Sequence, residues 1–301
     1  MKILENVIKF LNWSGFFKIR YSAVITRKIY EYLNKDNTPL MLRVNCNGNF
    51  YDVNFRDSFI APGIISNHFE TFETQVLKLL AEADKTFIDI GANIGYYALT
   101  FSKLFNKIYA FEPNIENYSS LINNVKQNNC HNIVPVNLAL SDKFGELSLY
   151  LDADNIGGHS LSAKNIFNVS GEVKIKAIKL DDYVTQNNIS VDFIKIDVQG
   201  HEEKVFLGAI KTLKQFRPTI LMEFDPRLLN NFSTDPEKFL KSFIDDNYIL
   251  FILDDRHNKI IQTKVPQEVI MQCKLAKSKF INLLLINEAS RDQLLKIKKL
   301  I

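Results

Sequence analysis

Leu42 to Phe55 alternates apolar and polar residues about Asn47-Gly48, which predicts a β-hairpin. From His68 to Ala83 the period lengthens, with Phe69, Phe72, Val76, Leu79 and Leu80 on one face of a predicted helix. Strands and helices then alternate. Thr86–Ile90 reads as a strand and Ile94–Phe105 as a helix with Ile94, Ala98, Phe101 and Phe105 inward. Lys107–Phe111 is a second strand, Tyr118, Leu121, Ile122 and Val125 mark a helix, and Asn132–Asn137 is a third strand. Gly145–Leu151 and Glu172–Leu180 read as strands flanking a polar loop, Asp152 to Gly171. Alternation resumes with strand Val191–Asp197, a helix from Glu202 to about Lys214, and strand Pro218–Phe224. Asp235-Pro236 opens a helix that buries Phe239, Leu240, Phe243 and Ile244. Tyr248–Leu253 and Phe280–Asn287 read as the last strands, before a short basic helix.

This order implies a mostly parallel, doubly wound α/β sheet, in which ligands bind beyond the carboxyl ends of the strands. Composition agrees: 301 residues, 46% hydrophobic and 24% charged, describe an ordinary globular chain with a sizeable core. A net charge of +3 gives no basis for nucleic-acid binding. Cys46, Cys130 and Cys273 share no metal-type spacing and fit free thiols in a reducing, cytoplasmic compartment. No run of apolar residues is long enough to span a membrane. Met1 to Leu33 is aromatic-rich, with Lys9, Lys18, Arg20, Arg27 and Lys28 interspersed. It suits a helix packed on its own domain, or a segment in peripheral contact with a membrane surface.

Chemistry concentrates at strand ends. Thr86-Phe-Ile-Asp-Ile-Gly-Ala-Asn-Ile-Gly95 is a strand running into a glycine turn, and Ala110-Phe-Glu-Pro113 ends the next strand. A dinucleotide turn would read G-x-G-x-x-G, with backbone closing on a pyrophosphate. Here Gly91 and Gly95 are separated by Ala92, Asn93 and Ile94, and Asn93 stands where the middle glycine would. A nucleoside cofactor without phosphates, S-adenosylmethionine, fits better. Glu112 can accept both ribose hydroxyls, and Asp89 is expected beneath the turn, fixing the cofactor's ammonium directly or through water.

Lys195-Ile-Asp-Val-Gln-Gly-His-Glu202 ends the fourth strand and Thr219-Ile-Leu-Met-Glu-Phe224 the fifth. Methyl transfer to an alcohol needs in-line geometry and a proton acceptor. Asp197 and His201 are the expected bases, and Glu223 a second carboxylate. Asp197 and Glu223 could hold a divalent metal, although hard cations usually take more oxygen ligands than these. The loop Asn155-Ile-Gly-Gly-His-Ser-Leu161 can fold over a substrate, with His159 and Ser160 as contacts. Asp181-Asp182 reads as a helix N-terminal charge pair. Two rivals stand beside this reading. One is an NAD-dependent sugar-modifying oxidoreductase, and the other a catalytically inactive glycan-binding protein.

Several ordered motifs from about Phe69 to Phe224 resemble the FkbM family of S-adenosylmethionine-dependent methyltransferases. They are Phe87-Ile-Asp-Ile-Gly-Ala-Asn-Ile-Gly-Tyr96, Phe111-Glu-Pro113, Asn137-Leu-Ala-Leu-Ser141, Leu180-Asp-Asp-Tyr183, Phe193-Ile-Lys-Ile-Asp-Val-Gln-Gly-His-Glu202 and Ile220-Leu-Met-Glu223. The resemblance implies a Rossmann-like, seven-stranded, class I methyltransferase sheet over residues 68–301, preceded by a helical and hairpin extension over 1–67. It implies O-methylation of sugar hydroxyls in surface glycans or of secondary metabolites. It also implies that Pro113 flanks the ribose carboxylate and that Ala139, Leu140, Ser141 and Asp142 edge the adenine. Gln199 departs from the pattern, since many relatives carry an acid there. The less similar ends are expected to carry acceptor choice or homo-oligomer contacts.

Overall fold

Strand periodicity and helical amphipathicity together produce one large sheet covered on both faces. The computed structural model describes residues 2–14, 16, 25, 26, 28, 40–55, 57–153, 155 and 157–300. Of the basic N-terminal residues, Lys18, Arg20 and Arg27 lie outside these. The strands are β1 (Met41–Cys46), β2 (Asn49–Asn54), β3 (Thr86–Ile90), β4 (Lys107–Phe111), β5 (Ile133–Val136), β6 (Ala139–Leu140), β7 (Gly145–Asp152), β8 (Val169–Ile178), β9 (Phe193–Ile196), β10 (Thr219–Phe224), β11 (Tyr248–Asp254), β12 (Lys259–Thr263) and β13 (Ile281–Asn287).

The main sheet runs β12-β11-β13-β10-β9-β3-β4-β5. Pairing is parallel from β10 through β5, and β13 lies antiparallel between β10 and β11. It therefore has eight strands rather than the expected seven. The extra one, β12, is a hairpin partner of β11 at the sheet edge. A smaller sheet, β6-β8-β7, is inserted between β5 and β9 in sequence.

All five residues of β3 are buried, as a strand covered on both faces requires. Phe87, Phe193 and Leu221 point into one core, and Ile88, Ile90, Ile194, Ile196, Ile220 and Met222 into the other. The hairpin is formed as expected, with Asn47 and Gly48 both at positive φ, 53° and 82°. Its Tyr51, Val53 and Phe55 join the first core. Asn124 of the Ile115–Gln127 helix and its C-cap Asn128 accept from the Asp52 and Phe50 N–H groups.

Three helices differ from the periodicity reading. In the Thr71–Leu80 helix, Leu77 is buried and Leu79 is turned to solvent. The helix after β3 is short, Tyr96–Phe101, starting after Gly95 at φ 91° and ending at Ser102. The segment after β9 is two helices, Glu202–Leu207 and Ile210–Phe216. Gly208 breaks it where a Cβ would lie 2.0 Å from the Ser141 carbonyl oxygen. Asp181 opens the Leu180–Asn187 helix and also accepts from the Lys211 and Thr212 N–H groups of the neighbouring helix.

Candidate active site

Parallel pairing sets Asp89 opposite Lys195, and Lys195 opposite Leu221. Alternation then puts Asp89, Lys195 and Glu223 on one face of the sheet, at its carboxyl end. Above them opens a cavity of about 530 Å³. Its walls include Gly91, Ala92, Asn93, Glu112 and Pro113 from the first two strand ends, and Ala139, Leu140, Asp197, His201 and Glu223 from the later ones. Phe59, Glu70, His159 and Arg227 line it as well.

The glycine turn is shaped by close approach. Gly91 has φ 77°, and a Cβ there would stand 2.0 Å from the Asp197 carbonyl oxygen. Only glycine lets the ends of β3 and β9 meet this closely. Gly95 lies behind the wall against Leu121, outside the cavity lining. Asn93 sits at φ 49° and donates its N–H to Glu112 Oε2 at 2.8 Å, while Asn114 N–H donates to Oε1 at 2.9 Å. Burial pushes the Glu112 carboxyl up to about 7, against the pull of those two N–H groups.

Asp89 is buried below the turn and does not line the cavity. Its Oδ2 accepts from the Ala98 N–H at 3.1 Å, while Oδ1 has no hydrogen-bond partner. Burial raises it to about 6, opposed by the Lys195 ammonium. Through Oδ2 Asp89 holds the first turn of the Tyr96–Phe101 helix, and it stands behind the cavity wall.

Around Lys195 the site is strongly acidic. Its Nζ lies 3.9 Å from Asp197, 3.5 Å from the Gly91 carbonyl oxygen and 5.2 Å from the centre of the Tyr97 ring. Burial alone would lower this ammonium, but Asp197, Asp89, Glu70 and Glu223 outweigh it and hold it above its usual value. Gln199, at φ 53°, spans two carboxylates: Nε2 donates to Asp197 Oδ1 at 2.8 Å and to Glu223 Oε1 at 3.2 Å. Burial, then the Asp197 and Glu70 carboxylates, drives Glu223 well above the usual carboxylate range. Glu70 is raised to about 7, mainly by burial. Among the described residues no three His, Cys, Asp or Glu side chains converge as a metal site would need.

Other expected residues occupy different places. His201 touches the cavity, but its Nε2 pairs with Ser141 Oγ at 3.0 Å and its ring lies edge-on to Phe232. Burial lowers it to about 4, so near neutral pH it is an uncharged, weak base held by Ser141. Its Nδ1 is buried without a hydrogen-bond partner and is the ring nitrogen left for the expected proton-accepting role. Of the proposed adenine edge, Ala139 and Leu140 line the cavity, whereas Ser141 is buried behind it. Asp142 also stands outside the lining and faces Lys204 at 3.5 Å. His159 lines the cavity with Nδ1 accepting from the Asp152 N–H, which leaves Nε2 as the protonated nitrogen of the neutral ring. Ser160 is not exposed to substrate. It is buried and donates to the Gln199 carbonyl oxygen at 3.0 Å.

Sequence reading gave no role to Lys195, Glu70 or Arg227. Lys195 had a signal, because it alternates with Asp197 and pairs with Asp89 across the strands. Glu70 had none, since it reaches the cavity through a left-handed N-cap at φ 40°. Arg227 is fixed by a forked ion pair to Asp225, the N-cap of the Pro226–Asn231 helix.

Comparison with known proteins adds to this geometry. The family profile described as "Methyltransferase FkbM domain" matches residues 89–250. Hexuronic acid methyltransferase AglP of Haloferax volcanii is 31% identical over 147 residues, covering 47% of this chain and 58% of that protein. The 2-O-methyltransferase NoeI of Sinorhizobium fredii is 28% identical over 159 residues, covering 48% of this chain and 65% of that protein. The chain thus spans less than two thirds of either relative's length. A methyltransferase FkbM from Methylobacillus flagellatus has a similar structure, with TM-score 0.42 and 14% identity, over 88% of this chain and 60% of that one.

Proposed function

The chain belongs to the FkbM methyltransferase family, and from that footing we propose that it transfers a methyl group from S-adenosylmethionine to a hydroxyl of a sugar or glycan. The observation that carries this reading is the opening of Glu112 and Asp197 onto one cavity, on either side of a turn that only glycine can make. The activities that AglP and NoeI are named for, on a hexuronic acid and at a 2-O position, support a carbohydrate acceptor.

The residues present fit this cofactor. Glu112 is a buried carboxylate at the ribose position, Ala92 and Asn93 supply the turn, and Ala139 and Leu140 offer an apolar edge for adenine. When bound, S-adenosylmethionine supplies an electrophilic methyl group on a sulfonium. The chain's own part is to position and deprotonate the acceptor. Asp197 takes the hydroxyl proton as the oxygen gains its methyl. Glu223, which burial and then Asp197 push well above the usual carboxylate range, faces the same space and in its protonated form donates a hydrogen bond to a neighbouring acceptor oxygen. Gln199 holds the two carboxylates apart in these roles. Acceptor choice falls to His159, to Phe59 and Ile60 from residues 1–67, and to Arg227, Asp255 and Asn282, all in the cavity wall.

Calorimetry with S-adenosylhomocysteine and with NAD tests the cofactor assignment. Binding of the first without the second is expected, and tight NAD binding alone would overturn it.

A further inference from the structure

The Lys2–Trp13 helix seats Ile8 and Leu11 in the core shared by the hairpin and the sheet. Its other flank is apolar and uncovered: Val7 is 47% exposed, Phe10 59% and Trp13 81%. These three follow one three-residue ridge of the helix. The Phe10 and Trp13 rings lie 5.8 Å apart, so the two largest side chains form a joint outward surface. Exposed Met41 of β1 extends it, sharing a shallow groove with Lys9, Trp13 and Arg43.

Charge indicates what meets this surface. Residues 1–33 contain six Lys or Arg and two Glu, while the whole chain has a net charge of +3. The remainder is therefore slightly acidic, and the basic excess of the molecule sits in the segment that carries the aromatic ridge. A second copy of the chain carries the same basic excess in this segment and offers it no anionic complement across a two-fold contact. An anionic lipid surface complements both features, since its headgroups attract the cations and its acyl boundary takes the rings.

We propose that this flank of the N-terminal helix docks in the plane of an anionic phospholipid bilayer. The inference is independent of the methyl-transfer reading, because it requires neither cofactor nor acceptor.

Trp13 is the chain's single tryptophan, so its fluorescence reports on the docking residue directly. The full chain is mixed with vesicles of phosphatidylcholine alone, or of phosphatidylcholine with phosphatidylglycerol. A blue shift of Trp13 emission and co-sedimentation are expected only with phosphatidylglycerol, and both reverse in high salt. Phe10→Ser weakens partitioning while Ile8 keeps the helix seated. Lys9→Gln, a change at an exposed site, weakens it about fivefold. Four results would overturn the proposal: protein left in the supernatant with both vesicles, equal binding to both, unchanged binding of the two variants, or a blue shift that follows protein concentration without lipid. The last would make this face an interface between copies.

Discussion

Glu112→Gln tests the cofactor site at a single atom pair. In the free protein both Glu112 oxygens accept backbone N–H groups, from Asn93 at 2.8 Å and from Asn114 at 2.9 Å. An amide keeps one acceptor and turns an NH2 group toward the other N–H, leaving a buried donor unsatisfied at a cost of ~1–3 kcal/mol. The variant also loses a charge-assisted hydrogen bond to a ribose hydroxyl, worth ~1.5–3 kcal/mol. At about 1.4 kcal/mol per factor of ten, the affinity for S-adenosylhomocysteine should fall ~10- to 100-fold. Isothermal calorimetry measures this, with thermal melting to confirm folding. Glu116→Gln, at an exposed position on the helix that follows, is the control and should bind normally. A folded Glu112→Gln protein with affinity within about twofold of the parent would refute the ribose assignment.

Asp197→Asn should lower turnover ~10²- to 10⁴-fold with little change in S-adenosylhomocysteine affinity, as expected for loss of the proton acceptor. His201→Gln, which can still meet Ser141, should keep turnover within about tenfold; the reverse ranking in steady-state kinetics would assign the base to His201. Gly91→Ala should depress the thermal melting midpoint strongly, because its Cβ would sit 2.0 Å from the Asp197 carbonyl oxygen; a melt like the parent's would contradict that close approach. Stability of the cofactor-free protein should fall as pH rises from about 4.5 to 7. Glu70, Glu112 and Glu202 are raised to about 7 and Asp89 to about 6, so the unfolded chain loses these protons first. His201, lowered to about 4, and His159, also lowered by burial, work in the opposite sense, losing stability as pH falls below about 6.5, but Glu73 and Glu223 are raised too, so the carboxyls outnumber the two imidazoles. Denaturant titrations across this range should show that decline, and stability rising with pH would contradict it.

The order of strands along the chain was legible because β3, β4, β9 and β10 are short apolar runs that stop at chemistry-bearing residues. The positions of Gly91, Glu112, Asp197 and Glu223 at one end of the sheet follow from that order alone. What the chain did not reveal depends on tertiary approach. His201 looks like a free base in sequence, yet Gly208 brings the Ser141 segment close and Ser141 takes the imidazole. Ser160 looks like a loop hydroxyl, yet it is spent on the Gln199 carbonyl oxygen. Gln199 stands where an acid was expected, and its amide donates to two carboxyl groups, which an acid could not do because even protonated it has a single O–H. The edge strand β12 escaped because Lys259–Thr263 is short and half-polar, and only its pairing with β11 defines it.

The most direct test supplies methyl-labelled S-adenosylmethionine with a panel of sugars and glycans, and follows the label into product by mass spectrometry before and after alkali. The account predicts an acceptor heavier by one methylene whose label survives alkali, as an ether must, and which is absent with Asp197→Asn. An alkali-labile label would mean that a carboxylate and not a hydroxyl is the acceptor. Failure to bind or consume S-adenosylmethionine would contradict the account at its centre.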